Sequence, residues 1–171
     1  MDDLNKYLER HEHLGNWRDL TAQAANDAGG LEMVWSKLHG LKVTESRLDY
    51  HGSLTIDRDI LRAAGLVPLE FVHIWNKNSG ARLSTYVLPG AAGGGLCCLN
   101  GAAARTGQVG DELIVTSRRF VRGLAEMTRS KPRVVTFRPG QVNRIAEILT
   151  YDLHLDGSGE ELAFDILRTP Y

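Results

Sequence analysis

The chain has 171 residues, 43% of them hydrophobic, enough to fill one core with room for short extensions. Its 20 Lys and Arg nearly balance 21 Asp and Glu, and the formal charge of -1 gives no global reason to bind nucleic acid or anionic lipid. No apolar run nears the ~20 residues of a membrane span, and "MDDLNKYLERHEHLG" is too charged for a signal peptide, so a folded, cytoplasmic protein is expected.

Residues 1–30 have the pattern of a helical extension, with Leu4, Leu8, Leu14, Trp17 and Leu20 at roughly helical spacing and "DAGG" as its stop. His11 and His13 flank Glu12 on different sides of such a helix, so a solvated face outweighs a metal site there. From Leu31 the pattern changes to short β segments: "LEMVWSKLHGLKVTES" predicts two strands and "SLTID" a third. Asp57 is placed to cap a short helix over "RDILRAAG", with Ile60, Leu61 and Ala64 on its apolar face and Gly65 just past its end. "EFVHIWN" and "RLSTYVL" then flank the turn residues Asn78, Ser79 and Gly80, which predicts a hairpin.

"GAAGGG", residues 90–95, lacks the lysine and the spacing of a phosphate-binding loop and is expected to be a flexible connection. "LCCLN", "DELIVTS" and "RVVTF" follow as strands. Cys97 and Cys98, the only cysteines, are adjacent and make a poor disulfide framework, so two small buried thiols are expected. "RRFVRGLAEMTRSKPR" has no interleaved aromatic platform for bases and is expected to be a solvated connection. The end alternates Tyr151, Leu153, Leu155 and then Leu162, Phe164, Ile166 about "DGSG", which favours a terminal hairpin. Six or more short strands with one small helix are met economically by a compact, mainly β barrel.

One dipeptide asks for a different explanation. Gly52-Ser53 in "YHGSLTID" is by default a turn, and alone it is a weak signal. It also fits an N-to-O acyl shift, in which the serine hydroxyl attacks the glycine carbonyl and the peptide becomes an ester. Glycine suits the attacked position because no Cβ obstructs the approach. β-Elimination of that ester and hydrolysis would leave a pyruvoyl group at the new N-terminus, a cofactor made from the chain.

"KLHGLKVTESRLDYHGSLTID", "NKNSGARLSTYVL" and "CLNGAAARTGQVGDELIV" together resemble the pyruvoyl-dependent aspartate 1-decarboxylase family, in the right order and over about 31–143. The resemblance implies a double-psi β-barrel, usually a homotetramer with active sites between subunits. It also implies production of β-alanine for pantothenate and coenzyme A synthesis, with a small amino acid as substrate and no metal. By position it implies cleavage between Gly52 and Ser53, a pyruvoyl group from Ser53, and functional roles for Lys37, Tyr50, Arg82, Thr85, Tyr86 and Asn100. An accessory maturation factor is compatible with it.

The implied roles follow side-chain chemistry. Arg82 would clamp one carboxylate with a planar fork and Lys37 would meet the other as a point charge. Tyr86 would return a proton after decarboxylation. Thr85 would position the Gly52 carbonyl during self-processing, Asn100 would orient substrate or stabilise an oxyanion, and Tyr50 would line the pocket. In an ideal strand, however, Arg82, Ser84 and Tyr86 share a face and Thr85 points away, so either a distortion or a second subunit is needed to use them all, or Thr85 is merely a β-former. His39, His51 and His73 are expected to make local polar contacts, with His51 next to the cleaved bond. The domains so expected are a helical extension over 1–30, a barrel domain over 31–143 and a C-terminal extension over 144–171. Two other readings stay open at this point: a pyruvoyl decarboxylase of a different amino acid, and an uncleaved barrel acting as a binding module.

Overall fold

The computed structural model describes residues 30–156 and 162–171; the helical extension expected over 1–30 and the "DGSG" turn lie almost wholly outside them. The first strand, β1 (Leu31–Lys42), is 12 residues long and is followed by the three-residue β2 (Glu45–Arg47). Its pairing slips between Val34 and Ser36 and again between His39 and Leu41, and Gly40, between the last two, has φ +84°. The second slip shifts the pleat by one residue, so that Leu38 and Leu41 both face the core, each fully buried.

β3 (Ser53–Asp57) runs into helix α1 (Arg58–Ala64). Asp57 caps that helix by accepting from Asp59 N–H at 2.8 Å, and Gly65 ends it in the left-handed conformation, as expected. The expected hairpin is formed by β4 (Phe71–Asn76) and β5 (Arg82–Gly90). Asn76 adds to its turn by accepting from the backbone N–H groups of Asn78 and Ser79.

β6 (Cys97–Asn100) leads into a 3-10 turn over Gly101–Arg105, and β7 (Glu112–Val121) follows. The basic segment expected to be a connection is divided: its first residues complete β7 and Leu124–Arg129 forms a short helix, α2. β8 (Arg133–Phe137), β9 (Ile145–Leu155) and β10 (Leu162–Pro170) complete the order, β9 and β10 pairing antiparallel as expected of a terminal hairpin.

All ten strands join in the order β10-β9-β8-β1-β7-β4-β5-β3-β6-β2, with parallel pairs at β1/β8, β3/β5 and β2/β6. The fold is a mainly β barrel with few short helices. Leu38, Leu54, Ile56, Ile74, Leu99, Leu113 and Val115 fill it, all fully buried or nearly so. The glycine-rich connection is a loop, yet it is fastened at its end: Gly95 N–H donates to the buried Asp57 Oδ2 at 2.7 Å, and Asn143 Nδ2 donates to Gly95 O at 2.7 Å. Among the described residues no helix is long and apolar enough to cross a membrane.

Candidate active site

Ser53 opens β3 and is fully buried, while Gly52 before it is exposed, so the bond between them lies where the chain enters the barrel. β3 lies between β5 and β6. Ser53 pairs with Asn100 and Thr55 with Cys98 on one side, and Leu54 pairs with Val87 on the other. Residues directly opposite across a ladder share a face, so Ser53, Thr55, Cys98 and Asn100 point to the side away from Leu54 and Ile56. Asn100 Nδ2 donates to Ser53 Oγ at 3.0 Å and to Thr55 Oγ1 at 2.8 Å, and its Oδ1 accepts from the Cys98 thiol at 3.2 Å.

A further glycine requirement lies beside the bond, at Gly101. A Cβ added to Gly52 would meet nothing within 4 Å, whereas one at Gly101 would lie 2.9 Å from Gly52 Cα and 2.8 Å from the Tyr50 carbonyl oxygen. Gly101 also has φ +61°. It is the residue that lets the turn after β6 press against the backbone of the Gly52-Ser53 bond. Tyr50 itself is half exposed, with its ring edge-on to His51.

Extending the β3/β5 register back from Leu54 and Val87 sets Thr85 beside Gly52 and Tyr86 beside Ser53. Thr85 faces inward with its partner Val72, and Tyr86 faces outward, 6.1 Å from Phe71 between ring centroids. Arg82, also outward, lies over Trp75 at 5.3 Å from the ring centroid. The alternation expected of "RLSTYVL" therefore holds, and Thr85 is apart from the other side chains of that strand.

Lys37 is on the same outward face but far along it. Lys37 pairs with Thr116, Thr116 with His73 and His73 with Ser84, so three strands separate β1 from β3. At about 4.8 Å per strand, Lys37 and Ser53 are about 19 Å apart along the sheet, beyond the reach of one lysine. Burial lowers the Lys37 pKa below the usual lysine range. His39, on the same strand face, is also lowered, first by burial and then by Lys37 and Lys77, with Glu112 opposing.

The structure thus gathers Ser53, Asn100, the backbone of Gly52 and Tyr50, and by register Tyr86. It leaves Lys37 apart, and also Arg82, which lies four residues from Tyr86 along β5, about 13 Å along the strand. Thr55, Cys98 and Gly101 are additional members of the site. The only sequence signal for the first two is the period-two spacing of Thr55 with Ser53 and of Cys98 with Asn100. Both cysteines are buried as expected, without the hydrogen bond of Cys98 having been anticipated. His73 is a relay on the outward face, its ring bonded to Ser84 Oγ at 2.8 Å and to Arg118, which also bonds Glu32.

A cavity of about 520 Å³ opens beside His39 and is lined by Lys42, Lys77, Glu112, Arg138, Glu147 and Arg168; Ser53 is not part of it. Lys77 is paired with Glu112 at 2.6 Å and Arg168 with Glu147 at 3.1 Å. Among the described residues no group of three or more His, Cys, Asp or Glu side chains could hold a metal ion.

The family model for aspartate decarboxylase matches residues 30–146. The aspartate 1-decarboxylase of Methylocella silvestris is 55% identical over 128 residues, 75% of this chain and 81% of that protein. The aspartate 1-decarboxylase 2 of Mesorhizobium japonicum is 52% identical over 136 residues, 80% of this chain and 88% of that protein. That of Rhodospirillum centenum is 47% identical over 135 residues, 79% of this chain and 85% of that protein.

Proposed function

The chain belongs to the aspartate decarboxylase family, and on that premise we propose that it removes the α-carboxylate of L-aspartate to give β-alanine and carbon dioxide, after cutting itself between Gly52 and Ser53. The observation that carries the second half is the setting of one bond. The Ser53 hydroxyl is buried and held by the Asn100 amide, and the Gly101 turn leaves space against Gly52 that any side chain would fill. A buried hydroxyl needs a partner whatever its role, so the close approach beside Gly52 that only a glycine at 101 permits is the distinguishing feature.

A pyruvoyl group at residue 53 fits this cradle, since it is smaller than the serine with its preceding peptide. It would supply a carbonyl that takes up the substrate amine and draws electrons from the bond to the departing carboxylate. The chain's own residues do the rest. Asn100, whose amide faces position 53, orients the substrate or stabilises an oxyanion there, Arg82 offers a two-pronged donor for a carboxylate, and Lys37 offers a second positive charge. Tyr86, level with Ser53 on the outward face, is the donor for the proton that replaces the carboxylate. Tyr50 lines the approach, and Thr85 acts through the Gly52 backbone from the inner side. Residues 31–143 form the decarboxylase barrel and 144–171 an extension paired onto its β8 edge.

Because Lys37 and Ser53 are too far apart in one copy, the working unit is a homo-oligomer in which Lys37 of one copy serves Ser53 of a neighbour, a homotetramer as in the family. Its β-alanine would feed pantothenate synthesis. The test is intact mass with turnover. The purified protein should run as fragments 1–52 and 53–171 and convert aspartate, and Ser53→Ala should stay at full length and be inactive. A cleaved protein that ignores aspartate but turns over another amino acid would reject the substrate; an active Ser53→Ala variant would reject the cofactor.

A further inference from the structure

The hydrogen bond at Ser53 has a direction, and the direction says which step it serves. Asn100 donates to Ser53 Oγ, so this oxygen is an acceptor. A donor aimed at the attacking oxygen does not help nucleophilic attack: a second lone pair stays free to form the new bond, but the hydrogen bond draws electron density from the oxygen and makes it less nucleophilic. It does much for the later step, in which the same oxygen departs with an electron pair.

We propose that Asn100 assists the elimination step of self-processing, and that Cys98 and Thr55 are positioning residues that lock its amide for that task. This rests on the self-cleavage reading above. In the first step Ser53 Oγ bonds to the Gly52 carbonyl carbon, the Gly52–Ser53 C–N bond breaks, and the hydroxyl proton passes to the freed nitrogen, giving an ester of unchanged mass. In the second, water takes the Ser53 Cα proton and that pair forms the Cα=Cβ bond. The Cβ–Oγ bond breaks with its pair on Oγ, which becomes one oxygen of the Gly52 carboxylate. Negative charge develops on Oγ only in this second step, and a fixed N–H donor aimed at it lowers the barrier.

The lock follows from the contacts. Both Nδ2 hydrogens are used, one by Ser53 and one by Thr55, and Oδ1 is used by the Cys98 thiol. Turned by half a rotation, the amide would aim its oxygen at Ser53 and its NH2 at a sulfur, a poor acceptor. Asn100 and Cys98 are 2% and 3% exposed, so water does not compensate. Burial, and then Glu45, raise the Cys98 pKa against the opposing Arg47, which keeps the thiol protonated and a donor.

The test separates ester from amide. Cys98→Val, Cys98→Ser, Thr55→Val and Thr55→Ser are purified beside the wild type and followed by intact mass, with and without neutral hydroxylamine, which cuts esters and spares peptide bonds. Cys98→Val and Thr55→Val should eliminate roughly tenfold more slowly, the effect of one misplaced hydrogen bond. They should accumulate full-length chain that hydroxylamine splits into a Gly52 hydroxamate and a fragment beginning with intact Ser53. Cys98→Ser and Thr55→Ser should mature at close to the wild-type rate. A packing role for Cys98 predicts the reverse order, with valine tolerated and serine not. Valine variants that mature normally, or that stay at full length and resist hydroxylamine, overturn the inference while a cleaved wild type leaves the self-cleavage reading standing. A wild type that is never cleaved defeats the reading itself.

Discussion

At the scale of single residues, Gly101 is the most sensitive position in the site outside the bond proposed to be cut. Gly101→Ala combines a φ of +61° with a Cβ 2.9 Å from Gly52 Cα, a contact that only backbone movement relieves. The expected outcome is a folded protein with self-cleavage slowed by about a hundredfold or more, since a displacement near 1 Å at a reacting centre costs that much. Timed intact-mass measurement checks it, and Gly52→Ala is the control for crowding at the neighbouring position. Lys37 gives a pH prediction. Its folded-state pKa is lowered, so it sheds its proton below the usual lysine range, and the KM for aspartate should rise as pH climbs through that depressed value. Lys37→Arg, which keeps its charge, should flatten the rise in a KM-against-pH profile. The stability effect has the opposite sign: the unfolded chain holds this proton more tightly, so this group favours folding more as pH rises through the same window. Of the site residues, Ser53 stood out through its pairing with Gly52, and Asn100 and Arg82 only through their family motifs. Gly101, Thr55 and Cys98 did not, because their roles depend on which strand lies beside β3 and no local pattern encodes a ladder partner 45 residues away.

Among the elements, helix α1 was legible because its signals are local: a capping aspartate, an apolar face and a terminal glycine within nine residues. The glycine-rich connection was legible only in part. Its composition says loop correctly, and its anchors, Asp57 and Asn143, lie far away in sequence on either side. The two strands expected in "LEMVWSKLHGLKVTES" are β1 and the start of β2, but the slip at Gly40, which turns both Leu38 and Leu41 to the core, was not legible because it depends on the pairing with β7. Asp57 joins two of these elements, capping α1 with one oxygen and holding Gly95 N–H with the other. Asp57→Ala should therefore cost about 2–4 kcal/mol, one lost cap plus one buried orphan N–H. Asp59→Ala, next to it but exposed and paired only with Arg62 at 3.6 Å, should cost well under 1 kcal/mol, about what a surface pair contributes. Urea unfolding of the two variants side by side measures the difference.

For the whole molecule, the placement of Lys37 bears on whether the proposed site needs a second copy. Lys37 is on β1 and Ser53 on β3 with β7, β4 and β5 between them, a separation of about 19 Å along the outward face, against a lysine reach of about 6 Å. The fold was foreseeable from strand patterning, but this separation was not, because sequence spacing puts Lys37 and Ser53 only 16 residues apart and says nothing of the strands inserted between them. If a neighbour closes the gap, two inactive variants can repair each other. Lys37→Ala removes the charge from the copy that lends it, and Ser53→Ala removes the reactive position from the copy that receives it. Co-expressed at equal levels with different affinity tags and purified through both, they should form mixed oligomers. Intact sites arise there wherever a Ser53→Ala chain lends Lys37 to a Lys37→Ala chain, roughly a quarter of sites for random assembly. Aspartate turnover near that fraction of wild type, with neither variant active alone, is the expected result. Mixed oligomers that stay at the level of the single variants would place Lys37 and Ser53 in the service of the same copy and remove the need for a neighbour.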